Sequence, residues 1–94
     1  MKQGVVADSP NWLGRAPRAG EHIGVRIRYR HGSTEAVVVD VQEEQISLRF
    51  DEPLQAVTPG QQLAFYLGDQ VLGAATISDA LDASALTGLD SVHV

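Results

Sequence analysis

Apolar and polar residues alternate with a period of two along much of the chain, which is the pattern of half-buried β-strands. The clearest case is residues 23–29, where four apolar side chains share one face and three arginines share the other. The apolar face carries Ile23, Val25, Ile27 and Tyr29, and the polar face carries Arg26, Arg28 and Arg30. Similar patterns predict further strands at residues 4–7, 34–41, 45–50, 61–67 and 70–77.

Turn-forming residues separate these strands. His31-Gly32-Ser33 supplies a turn, Pro59-Gly60 has the order of a type II turn, and Gly68-Asp69 fits a two-residue hairpin link. Pro53 cannot donate a hydrogen bond to a central ladder, so residues 51–53 are expected to leave the sheet. Gly73, inside the last strand, indicates a bend or a close approach of another backbone.

About six antiparallel strands joined by tight turns favour a small closed β-barrel over an open sheet with two exposed edges. The fold class is therefore all-β. We expect an irregular lead-in with a short strand at 1–20, a barrel core at 21–78 and a tail at 79–94. The tail composition admits a short helix over 80–86, capped by Ser78 or Asp79. Trp12 is expected to plug the base of the barrel, with a stacking platform as the alternative.

Composition excludes several classes of protein. The 94 residues are 44% hydrophobic and 20% charged, which fits one globular domain without wholesale disorder. No apolar run is long enough for a membrane span, and the first residues are too short and polar for a secretory signal. The chain has no cysteine, which excludes disulfides, thiolate metal sites and thiol nucleophiles within it.

The net charge of −5 hides a division along the chain. Residues 1–31 hold six basic side chains against two acids, a net +4, whereas residues 32–94 hold one arginine against ten acids, a net −9. Six of the seven basic residues are arginine, whose planar fork suits phosphate contacts and stacking on bases. Either the arginines form a local basic patch, or they pair with the acidic half across a sheet.

The chain carries no recognisable catalytic arrangement. His22, His31 and His93 lack zinc-type spacing, and the paired acids at 43–44 and 51–52 sit beside turns, where solvated carboxylates are usual. Neither phosphate-binding glycine motif occurs, and no serine has a nucleophile-elbow setting. The residues indicate a binding or accessory module, with a small metal-dependent hydrolase as a remote alternative.

A set of short motifs nevertheless resembles a known family. The motifs, in order, are IRYR at 27–30, RFDEP at 49–53, AVTPGQ at 56–61, FY at 65–66, GD at 68–69 and LG at 72–73. Their wording and spacing are similar to the C-terminal domain of bacterial tRNA-specific 2-thiouridylases over roughly residues 5–77. Two departures are Gly73-Ala74-Ala75, where the family often has consecutive glycines, and the tail from Asp79, which matches nothing in the family.

The resemblance implies a parent enzyme that uses ATP to replace the 2-oxygen of the tRNA wobble uridine with sulfur. The family's catalytic apparatus lies in an N-terminal nucleotide-binding domain with two cysteines, and a sulfur-carrier protein is the donor. None of that apparatus is present in this chain, so we expect no catalytic residue, no cofactor and no metal here. The implied domain is a β-barrel similar to the second domain of translation elongation factors, and the implied location is cytoplasmic.

By motif, the family's tRNA contacts correspond to Arg28, Tyr29 and Gln61, together with Arg30 of the same motif. Strict alternation turns Tyr29 inward, so an RNA contact there requires the strand to end or bulge near His31, or only the hydroxyl to reach out. We expect an excised domain that positions tRNA and does no chemistry. The alternative is a stand-alone, non-enzymatic barrel that binds other proteins.

Overall fold

A computed structural model describes residues 1–28 and 32–82, which form six β-strands. The strands are β1 (Lys2–Trp12), β2 (His22–Ile27), β3 (Thr34–Gln42), β4 (Gln45–Leu54), β5 (Gln62–Leu67) and β6 (Gln70–Leu81). They close into an antiparallel barrel in the order β1-β4-β3-β2-β5-β6, with β6 returning to β1. The all-β closed barrel predicted from the alternation is therefore confirmed.

Inward side chains of all six strands meet in one apolar core. The buried residues of the described chain are all hydrophobic, and no polar or charged side chain is buried there. The largest of these fully buried side chains are Phe50, Phe65, Ile23, Ile46, Leu48, Leu63 and Ile77. Because alternate residues face inward, this core fixes which residues of each strand face outward.

Two predicted turns adopt the expected geometry. In the turn around Pro59-Gly60, Gly60 has φ +94° and the N–H of Gln61 donates to the carbonyl oxygen of Thr58 at 3.4 Å, as a type II turn requires. Gly68 has φ +62° in a two-residue link, and Leu67 pairs with Gln70 across it. The glycine at each turn therefore serves the positive φ that the turn geometry demands.

Strand β1 is longer than the predicted strand at residues 4–7, and it is one of the six strands that close the barrel. It pairs with β4 on one side and β6 on the other, so the barrel includes residues 2–12 of the expected lead-in. The alternation is obscured because β1 contains a register shift between Asp8 and Asn11, where Ser9 has φ +54°. The N–H of Ser9 donates instead to the carbonyl oxygen of Glu44 at 2.9 Å.

The expected exit of residues 51–53 from the sheet is wrong. Strand β4 continues through Pro53 to Leu54, and Leu54 pairs with Lys2. Proline is tolerated because its position falls in the register shift of the β1–β4 pair between Lys2 and Gly4, and because the β3 pairing stops at Phe50. No ladder hydrogen bond is therefore required of it.

The expected helix at 80–86 does not begin where the sequence suggests. Ala80 and Leu81 belong to β6, and Ala80 pairs with Val5 while Leu81 pairs with Gly4. Strand pairing with β1 overrides the weak helical preference of the local composition. The rest of the expected helix, from residue 83, lies outside the described residues.

Trp12 packs against the core from the end of β1, as expected of a plug. Its indole ring is partly buried and lies 5.2 Å from the Phe65 ring, between ring centroids, with the planes tilted by 33°. Gly73 is the residue of β6 that pairs with Trp12, and a Cβ added there would lie only 2.7 Å from Trp12 Cε3. The close backbone approach predicted for Gly73 is confirmed.

Candidate functional site

Two outward arginines, Arg26 in β2 and Arg28 directly after the last residue of β2, are the centre of the candidate site. Arg26 and Arg28 are exposed, because their neighbours Val25 and Ile27 occupy the inward positions of the strand. Arg28 Nη1 donates to Gln62 Oε1 at 2.7 Å, and the Arg28 backbone N–H donates to the Gln62 carbonyl oxygen at 2.9 Å. Within residues 1–28 and 32–82, no hydrogen bond or ion pair holds the Arg26 guanidinium.

A groove of about 410 Å³ runs beside these arginines over the outer face of β2, β5 and β6. Its lining residues are Ser9, Arg26, Arg28, Gln62, Leu63, Ala64, Tyr66, Ala74, Ala75 and Thr76. The lining includes two guanidinium groups and no carboxylate, although the whole chain has a net charge of −5. We call this surface the basic groove. The side chains of β5 and β6 at the bottom of the groove include Ala64, Ala74 and Ala75, which are too small to cover the exposed guanidinium groups. An anionic ligand can therefore reach this surface.

Gln61 has a different position, in the loop between β4 and β5. Its side-chain Oε1 accepts a hydrogen bond from the Thr58 N–H at 3.0 Å, and its Nε2 donates to the Ala56 carbonyl oxygen at 3.4 Å. Ala56 has φ +56°, and Val57 is buried at the barrel end. The Gln61 amide therefore holds the loop in shape, and it is the neighbouring Gln62 that reaches Arg28.

The structure brings two of the four predicted site residues to one region. Arg28 contacts Gln62, the next residue after Gln61, so Arg28 and Gln61 lie at the same end of the β2–β5 pair. Tyr29 and Arg30 lie outside the described residues. The described part of β2 ends at Ile27, ahead of the tyrosine.

The basic residues of the 13–21 segment behave differently from those of β2. Arg15 Nη1 lies 3.2 Å from Glu21 Oε1, and the Arg18 N–H donates to the same oxygen at 3.0 Å. The Arg18 backbone hydrogen bond, followed by that from the Arg15 side chain, lowers the pKa of the Glu21 carboxyl from its usual 4.5. This cluster shapes the loop leading into β2 and neutralises part of the N-terminal positive charge locally.

Within the described chain, Arg28 is the one lining residue of the basic groove among the predicted site residues, and three that the sequence did not nominate, Arg26, Tyr66 and Gln62, lie closest to the argument about RNA binding. Arg26 shares the outward face with Arg28, two residues away, and this spacing was a usable signal. Tyr66 follows the inward Phe65 in the FY motif, so strand alternation alone turns it outward. Gln62 carried no such signal, because its role depends on which strand lies beside β2.

Histidines and acids do not converge in the described part of the chain. His22 Nε2 lies 2.8 Å from Asp51 Oδ2, and both side chains are roughly half exposed. His31 and His93 lie outside the described residues. Among residues 1–28 and 32–82, no group of three or more histidine, aspartate or glutamate side chains has a metal-binding arrangement. The same residues include no helix long and apolar enough to cross a membrane.

Comparisons with known proteins agree with the barrel geometry. The model of the aminomethyltransferase β-barrel domain family matches residues 2–77. The chain is 40% identical over 82 residues to a tRNA-specific 2-thiouridylase MnmA of Klebsiella pneumoniae, covering 86% of this chain and 22% of the relative. A protein of the same name from Chlorobium chlorochromatii is 41% identical over 81 residues, covering 84% of this chain and 22% of the relative.

The chain thus spans about a fifth of the length of these relatives. The likeness expected from the IRYR, RFDEP and AVTPGQ motifs is confirmed, and it extends across all six strands up to Ile77. Because the family model matches residues 2–77 and the structure of the chain is a closed β-barrel, the chain belongs to the aminomethyltransferase β-barrel domain family.

Proposed function

We propose that this barrel is the tRNA-facing domain of a tRNA 2-thiouridylase, and that it positions the RNA without taking part in the chemistry. The observation that carries the proposal is the basic groove, which is lined by Arg26 of β2 and by Arg28, the residue after β2, and by no carboxylate. Phosphate contacts by arginine fix the register and orientation of an RNA on a protein. The relatives' names, which specify tRNA, supply the class of nucleic acid.

The reaction itself belongs to the rest of the parent enzyme. This chain contains no cysteine and no phosphate-binding glycine loop, so neither a thiol-based sulfur transfer nor an ATP site fits its residues. In our proposal, ATP binds the N-terminal domain of the parent, a sulfur-carrier protein delivers the sulfur there, and the enzyme acts in the cytoplasm. The barrel contributes orientation of the substrate, which accelerates a reaction by holding the reacting groups together.

The barrel is expected to bind tRNA weakly by itself. A groove with two arginines makes few phosphate contacts, and each such contact loses affinity steeply as salt increases. The acidic remainder of the chain repels RNA, so binding is confined to the basic groove. A domain of this kind adds to the affinity of the whole enzyme because it is linked to the other RNA-binding surfaces.

The test is fluorescence anisotropy of the 94-residue chain with unmodified tRNA at low and then moderate salt. We expect salt-sensitive binding that Arg28→Ala weakens, with a slope of log affinity against log salt that is smaller by about one. Arg18→Ala removes the same charge from the loop before β2 and serves as the matched control. Equal losses in the two variants would contradict the proposal, because they would indicate dependence on net charge alone.

A pulldown from lysate with the same chain addresses the protein-binding alternative. Recovery of a protein partner with no bound tRNA, together with absence of tRNA binding at low salt, would replace the proposal with a protein-interaction barrel. Two exposed apolar side chains at the β5–β6 hairpin, Leu67 and Val71, would be the first surface to examine in that case.

A further inference from the structure

Tyr66 and Arg26 form a ridge on the outer face of the barrel that separates two grooves. Tyr66 is a partly exposed residue of β5, and it pairs across the ladder with Gly24 of β2. Arg26, two residues further along β2, pairs with Ala64. Both ridge residues line the basic groove on one side and a second groove of about 350 Å³ on the other. An aromatic ring beside a guanidinium group is the arrangement on which nucleic acid bases stack.

Gly24 has no side chain beside Tyr66, its partner across the β2–β5 ladder. A Cβ added at Gly24 would lie 3.6 Å from Tyr66 Cβ and 3.3 Å from Glu35 Oε2. The absence of a side chain here brings the Glu35 carboxylate over β2, next to the tyrosine. The ridge therefore has a hydrogen-bond acceptor on the side of Tyr66 that faces Gly24.

The two grooves differ in charge. The basic groove has two arginines and no carboxylate, whereas the second groove includes Glu35 and Asp69 as well as Arg26. A carboxylate repels phosphate and accepts hydrogen bonds from base amino groups. A nucleotide of adenine, cytosine or guanine has the same division, with an anionic phosphate at one end and an amino donor on the base edge at the other.

Resting on the proposed RNA-binding function, we propose that the ridge takes one unpaired nucleotide of the RNA. Its base stacks on Tyr66, its flanking phosphates lie in the basic groove near Arg26 and Arg28, and its base edge faces Glu35 and Asp69. The base is one that carries an exocyclic amino group, because this group offers two N–H donors to the two carboxylates, whereas uracil offers only its single N3–H. Unpaired nucleotides are suited to this contact, since their bases are free to leave the helical stack.

The spacing of the two arginines agrees with this path. Residues two apart on a strand are separated by about 6.6 Å along it. Arg28 is the first residue after β2 and its N–H still donates to the Gln62 carbonyl oxygen of β5, so Arg26 and Arg28 can contact successive phosphates of one RNA strand. Thr76 and Ser9 supply hydroxyl groups along the same groove and can bind phosphate or ribose oxygens.

The test uses the 94-residue chain and labelled single-stranded oligo(C) and oligo(U) of equal length at low salt. Cytosine and uracil have the same ring size and differ on one edge, where cytosine carries a 4-amino group and an N3 acceptor and uracil a 4-oxo group and an N3–H donor. We expect oligo(C) to bind more tightly, Glu35→Gln to reduce that preference, and Tyr66→Ala to weaken binding of both by about 5- to 100-fold. Tyr66→Phe keeps the ring and should bind like the unaltered chain.

A second measurement does not depend on whether Tyr66→Ala folds. On stacking, the ring protons of Tyr66 should move upfield in the NMR spectrum of the unaltered chain as oligo(C) is added, and their absence from the Tyr66→Phe spectrum identifies the resonances. Circular dichroism of Tyr66→Ala establishes that its barrel is intact.

The outcomes separate this inference from the function on which it rests. If tRNA binding depends on Arg28 while Tyr66→Ala binds oligonucleotides like the unaltered chain and no ring shift occurs, the nucleotide site is overturned and the tRNA-facing role stands. Equal affinity for oligo(C) and oligo(U) overturns the assignment of the second groove to the base edge. An acidic peptide of matched charge that binds as tightly as oligo(C) also overturns the inference. No binding of tRNA or oligonucleotide at low salt overturns both proposals.

Discussion

Replacing Gly73 by alanine should destabilise the seam between the first and last strands. A Cβ at position 73 would lie 2.7 Å from Trp12 Cε3 and 3.1 Å from Trp12 Cα, and even closer to the Asn11 carbonyl oxygen. Contacts under 3.0 Å to a carbon are well inside van der Waals distance. The Trp12 ring can turn to relieve the first contact, but the two backbone atoms cannot move without shifting β1 away from β6.

The cost follows from the size of this clash. Forcing one extra methyl group into a well-packed position costs typically 1–3 kcal/mol. Part of the Trp12–Phe65 ring contact would be lost as the indole moves, and an aromatic pair of this kind contributes about 0.5–1.5 kcal/mol beyond its buried area. We expect a total near 3 kcal/mol, and for a domain of this length each kcal/mol lowers Tm by about 4–8 °C.

The measurement is urea unfolding followed by circular dichroism, with thermal melts alongside. Gly14→Ala is the matched control, because a Cβ at Gly14 meets no atom within 4 Å. That substitution should leave stability unchanged or raise it by about 0.4–1 kcal/mol through the unfolded state. The same pair of alanine substitutions is then made in a Trp12→Ala background, which removes the ring but keeps the Asn11 carbonyl oxygen.

Two results would refute the reasoning. If Gly73→Ala is as stable as the unaltered chain, the strands are not packed as closely as the structure has them. If the Trp12→Ala background removes the whole penalty, the clash is with the indole ring alone, and the Asn11 carbonyl oxygen and Trp12 Cα do not obstruct a side chain at position 73. The expected result is that most of the penalty persists in that background.

Three further predictions concern the loops around the barrel. Gln61→Ala should lower the free energy of unfolding by about 1 kcal/mol, because the Thr58 N–H loses its acceptor, whereas Gln61→Glu should lose less, since a carboxylate still accepts; equal losses on urea unfolding would count against this. Val57→Ala should cost about 1.5 kcal/mol by removing two buried methyl groups from the loop, and a loss under 0.5 kcal/mol would mean that Val57 is not an anchor. The pKa of Glu21 is lowered in the fold, so its contribution is present above pH 4.5 and is lost as the pH falls through the folded pKa. Thermal melts at pH 7 and pH 3 should therefore show Glu21→Gln approaching the unaltered chain at the lower pH, and a constant difference would contradict the assignment.

Alternation predicted most of the barrel because each strand has a buried and an exposed face. It placed Val25 and Leu63 inward and Arg26 outward without reference to any partner strand, since the period-2 signal is local. It failed where pairing decides the outcome. The positive φ of Ser9 breaks the alternation of β1, and Pro53 stays in β4 only because the neighbouring ladder has a register shift there.

The site was predictable in part for the same reason. Arg28 came from a motif and from its outward position, and Arg26 was accessible by the same alternation. The groove itself depends on β2 lying beside β5, a neighbour relation between strands far apart in sequence. Alternation turns Tyr66 outward, but only the strand order shows that Tyr66 and Gln62 lie beside the arginines. Gln61 shows the opposite case, because its motif suggested an exposed contact and the structure has its amide bonded within its own loop.

Closure of the barrel by its first and last strands has a kinetic consequence. The pairing of Gly4 with Leu81 joins residues near opposite ends of the described chain. Strand β1 pairs with β4 and β6 and with neither of the two strands that follow it in sequence. Loop-closure entropy must be spent before such distant contacts stabilise the chain, so barrels of this topology fold on the scale of milliseconds to seconds. A circular permutant that joins β6 to β1 by a short linker and opens the chain at Gly68-Asp69 would turn the β1–β6 pair into a hairpin and make the β5–β6 pair the longest-range contact, so a change in its folding rate would show which of the two pairings limits closure.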